Sequence, residues 1–266
     1  MPIHTIKAGT MEYLVADGIA VPHGFTTRLG GVSHGDCAGL NIALHRGDTP
    51  ENVAENYARL GNTIGFDPEK LVLAHQVHSD VVRAVTEKDC LGLDHHLYPK
   101  CDGLITNTPG LALVVFTADC TPILLSDPVT GVVGAVHAGW RGTAADIAGK
   151  AVQKMASEFG CQPRNIRAAI GPNIGPCCFE TDGDVPAALG HTFGPAVEEW
   201  IHPAGEKFYV NLKAINALAL RRAGVEMIEI SDECTFCNPE KYWSHRYTGG
   251  KRGSQGAVIV CKGGRV

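Results

Sequence analysis

"CDGLITNTPGLALVVFTADCTPILLSDPVTGVVGAVHAG", Cys101 to Gly139, is the most apolar stretch of the chain and the strongest indication of its fold class. It divides into "CDGLITNT", "LALVVFTADC", "TPILLSD" and "GVVGAVHAG", punctuated by "PG" and "DPVTG". Branched aliphatic residues, Phe and Thr favour strands, and the Pro and Gly pairs favour turns, so the pattern predicts consecutive, mostly buried β-strands. Connections this short give hairpin-like neighbours, which argues against a purely parallel sheet.

Beyond Arg141 the period changes. Ala144, Ile147, Ala148, Ala151, Val152, Met155 and Phe159 recur at three- and four-residue steps and predict a helix with one apolar face. Thr143 and Asp146 make a capping-box-like start and Gly160 a stop. A second helix is expected from Leu212 to Ala223, ended by Gly224, with strands at "EMIEIS" and "AVIVCK". The expected fold class is α/β, mixed α and β. With no repeat, linker or low-complexity tract, one domain spanning residues 1–266 is expected.

A chain of 266 residues with 44% hydrophobic content can bury a large core. Its net charge of −5 lacks the basic footprint of a nucleic-acid or anionic-membrane binder, leaving small molecules as the expected partners. No run approaches the roughly 18 apolar residues of a membrane span and no secretory leader is visible, so a cytoplasmic protein is expected. Ten cysteines in a chain of this length read as reduced thiols rather than a disulfide scaffold.

Chemistry concentrates where apolar strands end. "HQVHSD" offers His75 and His78, "FTADC" offers Asp119 and Cys120, and "AVHAGWRG" offers His137 and Arg141. A thiolate with two imidazoles suits Zn²⁺, and three protein ligands leave a fourth position open for water or substrate. His78, Cys120 and His137 are the favoured set. His75 rivals His78, and residues three apart face opposite ways in a strand, so one of them points inward. The same residues support a metal-free alternative in which Cys120 is a nucleophile and His137 or His78 its base. Asp119 is a candidate proton donor or an orienting partner for a ligand.

Anion contacts are expected at Arg141, beside the predicted helix start at Thr143. Arg28 in "FTTRLGGVSHGD", with Asn41, His45, Arg46 and Asp48 in "NIALHRGD", forms a possible second polar wall. "CTFC", Cys234 to Cys237, has metal-knuckle spacing but no second pair in sequence, and is read as structural. "GPCCFE", with Cys177 and Cys178, reads as a constrained loop that turns backbone groups or Glu180 towards the pocket, and His95-His96 as a solvated loop. Trp140 reads as core packing rather than a stacking platform.

Taken together, "HQVHS", "CDGLITNTPGLALVVFTADCTPILLSDP", "VGAVHAGWRGT" and "AAIGPNIGPCCFE" closely resemble the multicopper polyphenol oxidoreductase (laccase-like) family, whose members are better described as purine nucleoside phosphorylases. The resemblance runs from "TTRLGGVS" to "SHR". It implies two packed mixed sheets flanked by helices in α/β/β/α layers, and a zinc site at His78, Cys120 and His137. It also implies phosphorolysis of adenosine, inosine and methylthioadenosine, with adenosine deaminase activity. Arg28, Asn41, Arg46 and Asn56 would then be substrate or phosphate contacts. Copper-dependent polyphenol oxidation ranks below this, because a trinuclear copper centre needs more paired histidines than His95-His96. A metal-free cysteine hydrolase of cell-wall precursors is the other alternative. "SHRY" and "RGSQG" depart from the family pattern and leave His245 and Arg246 without assigned roles.

Overall fold

The computed structural model describes residues 3–264. Strands His4–Ala8, Met11–Val15, His23–Thr26, Gln255–Val260, Ala112–Thr117 and Leu71–Leu73 lie side by side in one sheet. A second sheet has the order Met227–Ile230, Arg167–Ile170, Thr121–Ser126, Val133–Ala138, Gly103–Thr106 and Val82–Ala84. Both are mixed: Leu71–Leu73 runs parallel to its neighbour in the first, and both edge strands do so in the second. A small antiparallel sheet joins Glu180–Thr181, Lys207–Val210 and Ile201–Ala204.

The two large sheets pack face to face. Leu124, Val133 and Ala135 of the second sheet share a buried cluster with Leu113, Val115 and Val258 of the first. Because strand side chains alternate, Ile123, Leu125, Val136 and Ala138 point the other way. They pack with Ile147, Ala151, Val152 and Met155 of one helix and Ile215, Ala219 and Leu220 of another. Burial on both faces explains why these strands read as unbroken apolar runs rather than alternating ones. Helix Pro50–Leu60 adds Val53, Tyr57 and Leu60 to the first cluster, giving a mixed α/β fold with helices flanking two sheets.

Two local readings change. Strands Ala112–Thr117 and Thr121–Ser126, consecutive and joined by three residues, are not a hairpin, because they lie in different sheets. The chain crosses between layers at Ala118–Cys120, with Asp119 in the left-handed region at φ 85°. The true hairpin is Thr121–Ser126 with Val133–Ala138, in which Thr121 pairs with Ala138 and Pro122 with His137. The long helix also starts later than expected. Trp140–Ala144 is a separate short helix, and Asp146, at φ 57°, caps Ile147–Phe159 by accepting from the Gly149 N–H. Thr143 is instead buried and its hydroxyl accepts from Asn216. The second helix occupies Leu212–Arg222, with Asn211 as its cap.

Candidate active site

The crossover at Asp119 sets the site. It brings Cys120 out of the first sheet's end and delivers it beside His137, the penultimate residue of its strand. His78 arrives from the loop after Leu71–Leu73, itself left-handed at φ 61°. One buried carboxylate holds that loop in place. Asp102 accepts from the backbone N–H groups of Val77, His78 and Ser79 at 3.1, 3.0 and 2.7 Å, and from the Ser79 hydroxyl at 2.7 Å. Its Oδ1 also accepts from His137 Nδ1 at 2.8 Å. That bond fixes the ring and leaves Nε2 as the outward donor, the role a carboxylate plays behind a metal-ligating histidine. Burial would push Asp102 upward, but the bonds from His137 and Ser79 hold it down at about 2.

Donor atoms of His78, Cys120 and His137 lie within 4.8 Å of one another, a spacing that can hold one metal ion. The Cys120 Sγ is 3.9 Å from His78 Nε2, and the two imidazoles meet edge to face with centroids 5.0 Å apart. Gly139 makes this convergence possible, because a Cβ there would stand 2.8 Å from His78 Cδ2 and 3.3 Å from Cys120 Sγ. Burial alone would raise the Cys120 thiol; the His137 charge and hydrogen bonds from both imidazoles reverse that and hold it at about 6. Burial would lower His137, yet Cys120 and Asp102 carry it to about 9. The pair therefore favours thiolate and imidazolium when no metal is bound, and the thiolate is the form that ligates.

These three residues line a cavity of about 390 Å³, together with Arg46, Gln76, His95, Phe116, Asp119, Phe179, His245, Arg246 and Arg252. Asp119 is anchored at both oxygens, accepting from the Thr235 hydroxyl at 2.6 Å and the Arg246 N–H at 2.7 Å. Arg252 donates Nη1 to the Gly253 carbonyl and the Ser254 hydroxyl, while its buried Nε has no protein partner. Burial first, and then the charge of Arg46, lower its pKa to about 10. Gln76 is tied across to Phe116, accepting its N–H at 2.6 Å and donating to its carbonyl at 2.7 Å.

Of the residues proposed for anion or substrate contact, Arg46 alone lines this cavity. Arg28 lies over the Trp243 ring at 3.8 Å and donates to the carbonyls of Pro239 and Ala38. Asn41 is fully buried, with its amide shared among Ala43, Asp48 and Ser254. Asn56 is equally buried and braces Val32, Ser33 and Asn41. Arg141 is exposed on the short helix, over the ring of Trp140, which packs against the helix-side core. His75 turns to the Tyr98 carbonyl and joins a cluster of rings with His95 and His96, leaving His78 as the inward residue. His95 is not a solvated loop residue: it lines the cavity, and burial with neighbouring His96 and His45 lowers it to about 4. Glu180 turns its carboxylate to Tyr209 and its carbonyl to Arg246.

A family model described as multi-copper polyphenol oxidoreductase laccase matches residues 22–262. The chain belongs to this family. Within the laccase-like family it is 39% identical to the purine nucleoside phosphorylase of Deinococcus radiodurans, over 96% of this chain and 94% of that one. It is 38% identical to purine nucleoside phosphorylase YlmD of Geobacillus stearothermophilus, over 91% and 89%. The crystal structure of YlmD from the same organism superimposes with a TM-score of 0.91 at 35% identity, covering 98% of this chain and all of that one. The structure of hypothetical protein YfiH from Bacillus licheniformis gives 0.92 at 33% identity, covering 98% and 99%. No described helix of this laccase-like chain is long and apolar enough to cross a membrane.

Proposed function

We propose that this chain is a zinc-dependent purine nucleoside phosphorylase that also deaminates adenosine. One observation carries the reading: a three-donor, metal-ready set and unneutralised guanidiniums share a single cavity. The charge of Arg46 disfavours that of Arg252, and Arg252 Nε is an orphaned buried donor, so an anion bound here relieves both demands on Arg252. Phosphate is the anion that phosphorolysis requires. A volume of about 390 Å³ lies within the roughly 300–1,000 Å³ of small-molecule sites, and Phe116 and Phe179 offer apolar faces for a purine. The names of the Deinococcus and Geobacillus relatives agree with this chemistry.

The donor set fits zinc. Two nitrogens and one sulfur make a borderline-soft set with an open fourth position. Among the described residues no methionine lines the cavity to serve as the weak axial ligand of a blue-copper site, and the Gln76 amide is occupied by Phe116. Zinc held by His78, Cys120 and His137 would supply Lewis acidity to the cavity. Asp102 fixes the His137 ring and the His78 loop. Arg46 and Arg252 would hold hydrogen phosphate against the nucleoside, where its O–C1′ bond forms as the C1′–N bond breaks and the proton that hydrogen phosphate loses on becoming an ester goes to the departing base nitrogen. Asp119, with both oxygens already accepting, is a positioning residue that ties Thr235 and Arg246 to the wall rather than a proton donor.

The test is product analysis with zinc-loaded protein. Adenosine with phosphate is expected to yield adenine and ribose 1-phosphate in equal amounts, inosine and methylthioadenosine to react likewise, and adenosine without phosphate to yield inosine and ammonia. No base release from fully loaded protein would sink the phosphorylase reading. One observation favours a second reading, a cysteine hydrolase: Cys120, His137 and Asp102 form a thiol–imidazole–carboxylate series with the thiol held at about 6. That reading predicts rapid alkylation of Cys120 and turnover independent of metal, whereas bound zinc protects the thiol.

A further inference from the structure

The "CTFC" segment lacks a second cysteine pair in its own neighbourhood of sequence, and the fold supplies one. Cys177 and Cys178 meet Cys234 and Cys237, and all four sulfurs lie within 4.8 Å of one another. Cys237 Sγ is 3.4 Å from Cys178 Sγ and 3.7 Å from Cys177 Sγ. A zinc ion at about 2.3 Å from four sulfurs requires edges of about 3.8 Å, the scale these sulfurs already have.

Backbone geometry builds the group. An isolated parallel bridge between Asn173 and Cys234 joins the two loops, and the Thr235 N–H donates to the Asn173 carbonyl at 2.9 Å. The Gly175 N–H donates to Cys234 Sγ at 3.1 Å, a bond that stabilises thiolate over thiol. Gly175 lets the loop close on the sulfurs, since a Cβ would crowd both Cys177 Sγ and Cys234 Cβ at 3.2 Å. An independent observation points to anionic charge here. Lys213 is buried, yet its ammonium meets only the neutral carbonyls of Ser231 and Glu233, at 2.7 Å each, on the segment leading into Cys234. A buried cation without a bonded carboxylate calls for negative charge nearby; Cys234 and Cys177 act on it together with Asp232 and Glu233, and four thiolates around a divalent ion carry a net charge of about −2.

We propose that Cys177, Cys178, Cys234 and Cys237 bind a second zinc ion, coordinatively closed and separate from the His78, Cys120, His137 set. Its role is to pin two loops that wall the cavity. Ile174 and Phe179 line the cavity from the first loop, and Thr235 of the second holds Asp119. The ion therefore fixes the pocket's shape without touching substrate.

Metal counting on the intact chain separates the two sites. In protein from zinc-supplemented medium, the His78→Ala/Cys120→Ala variant is expected to retain one zinc per chain, with an X-ray absorption spectrum showing sulfur ligands alone at about 2.3 Å. Adding Cys177→Ser and Cys237→Ser, both exposed positions, is expected to remove that zinc while circular dichroism stays unchanged. In an otherwise native background the same two serines are expected to remove one equivalent and to leave the His78 site loaded. Cobalt substitution offers an optical check: a thiolate-to-metal charge-transfer band present in the His78→Ala/Cys120→Ala protein and lost when Cys177→Ser/Cys237→Ser is added. The proposal is overturned if folded His78→Ala/Cys120→Ala protein holds no metal, or if mass spectrometry finds Cys237 joined to Cys177 or Cys178 as a disulfide after reducing purification. Neither outcome bears on whether the cavity performs phosphorolysis.

Discussion

Two groups of sulfur- and nitrogen-donor residues are linked by the Asp119–Thr235 hydrogen bond, whose partners adjoin Cys120 and Cys234, and they differ in completeness. The group at the cavity has three donors, two of them oriented by the buried Asp102, and a glycine in place of any fourth side chain. The group at the loops has four sulfurs, two of them exposed, and draws its order from backbone bonds. A three-donor set braced by a buried carboxylate leaves a position for substrate; a four-donor set leaves none and can only hold chain segments together. The same elements thus divide between chemistry and architecture according to donor count and what stands behind the donors.

Breaking the open group has the largest expected effect. Cys120→Ala should lower phosphorolysis on the order of 10³-fold or more and cost one zinc equivalent, measured by initial rates and metal analysis, because several kcal/mol of charge stabilisation depends on the ion. Asp102→Asn keeps the shape but weakens five accepted hydrogen bonds; zinc affinity or turnover should fall about 10- to 100-fold in a competitive chelator titration. Arg46→Ala should raise the KM for phosphate about tenfold or more with a smaller change for nucleoside, since a charge-assisted contact contributes roughly 1.5–3 kcal/mol. Arg28→Ala sharpens the contrast from outside the cavity. It should leave KM and kcat within about twofold while lowering stability by about 1 kcal/mol, seen as a lower thermal midpoint, because Arg28 packs on Trp243.

Sequence carried the fold well where one segment's pattern suffices. The runs within Cys101–Gly139 are strands, and Leu212–Arg222 is a helix, because burial and periodicity are properties of the segment itself. The crossover at Asp119 was illegible: a non-glycine residue at φ 85° gives no compositional sign, and a three-residue connection reads the same whether its strands pair or part. The donor triad was legible in kind, since His78, Cys120 and His137 each end an apolar run. Asp102 was not, although it stands in the quoted stretch. An aspartate just before a strand reads as a turn residue, and only the fold reveals that five donors converge on it. Which arginines face the cavity was illegible for a related reason. Arg28, Arg46, Arg141 and Arg252 all sit in Gly-containing segments, and nothing local distinguishes a guanidinium stacked on Trp243 from one facing a cavity. Likewise "CTFC" found its second pair some sixty residues away in "GPCC", a distance that only tertiary contact closes.

The proposed activity turns on the open three-donor centre. Anomalous diffraction maps from zinc-grown crystals, recorded on both sides of the zinc absorption edge, test it most directly. The expected result is one peak about 2.0–2.3 Å from His78 Nε2, Cys120 Sγ and His137 Nε2, with its fourth position turned to the cavity and no fourth protein ligand. The absence of a peak there in zinc-replete protein, or a fourth side chain closing the site, would contradict it.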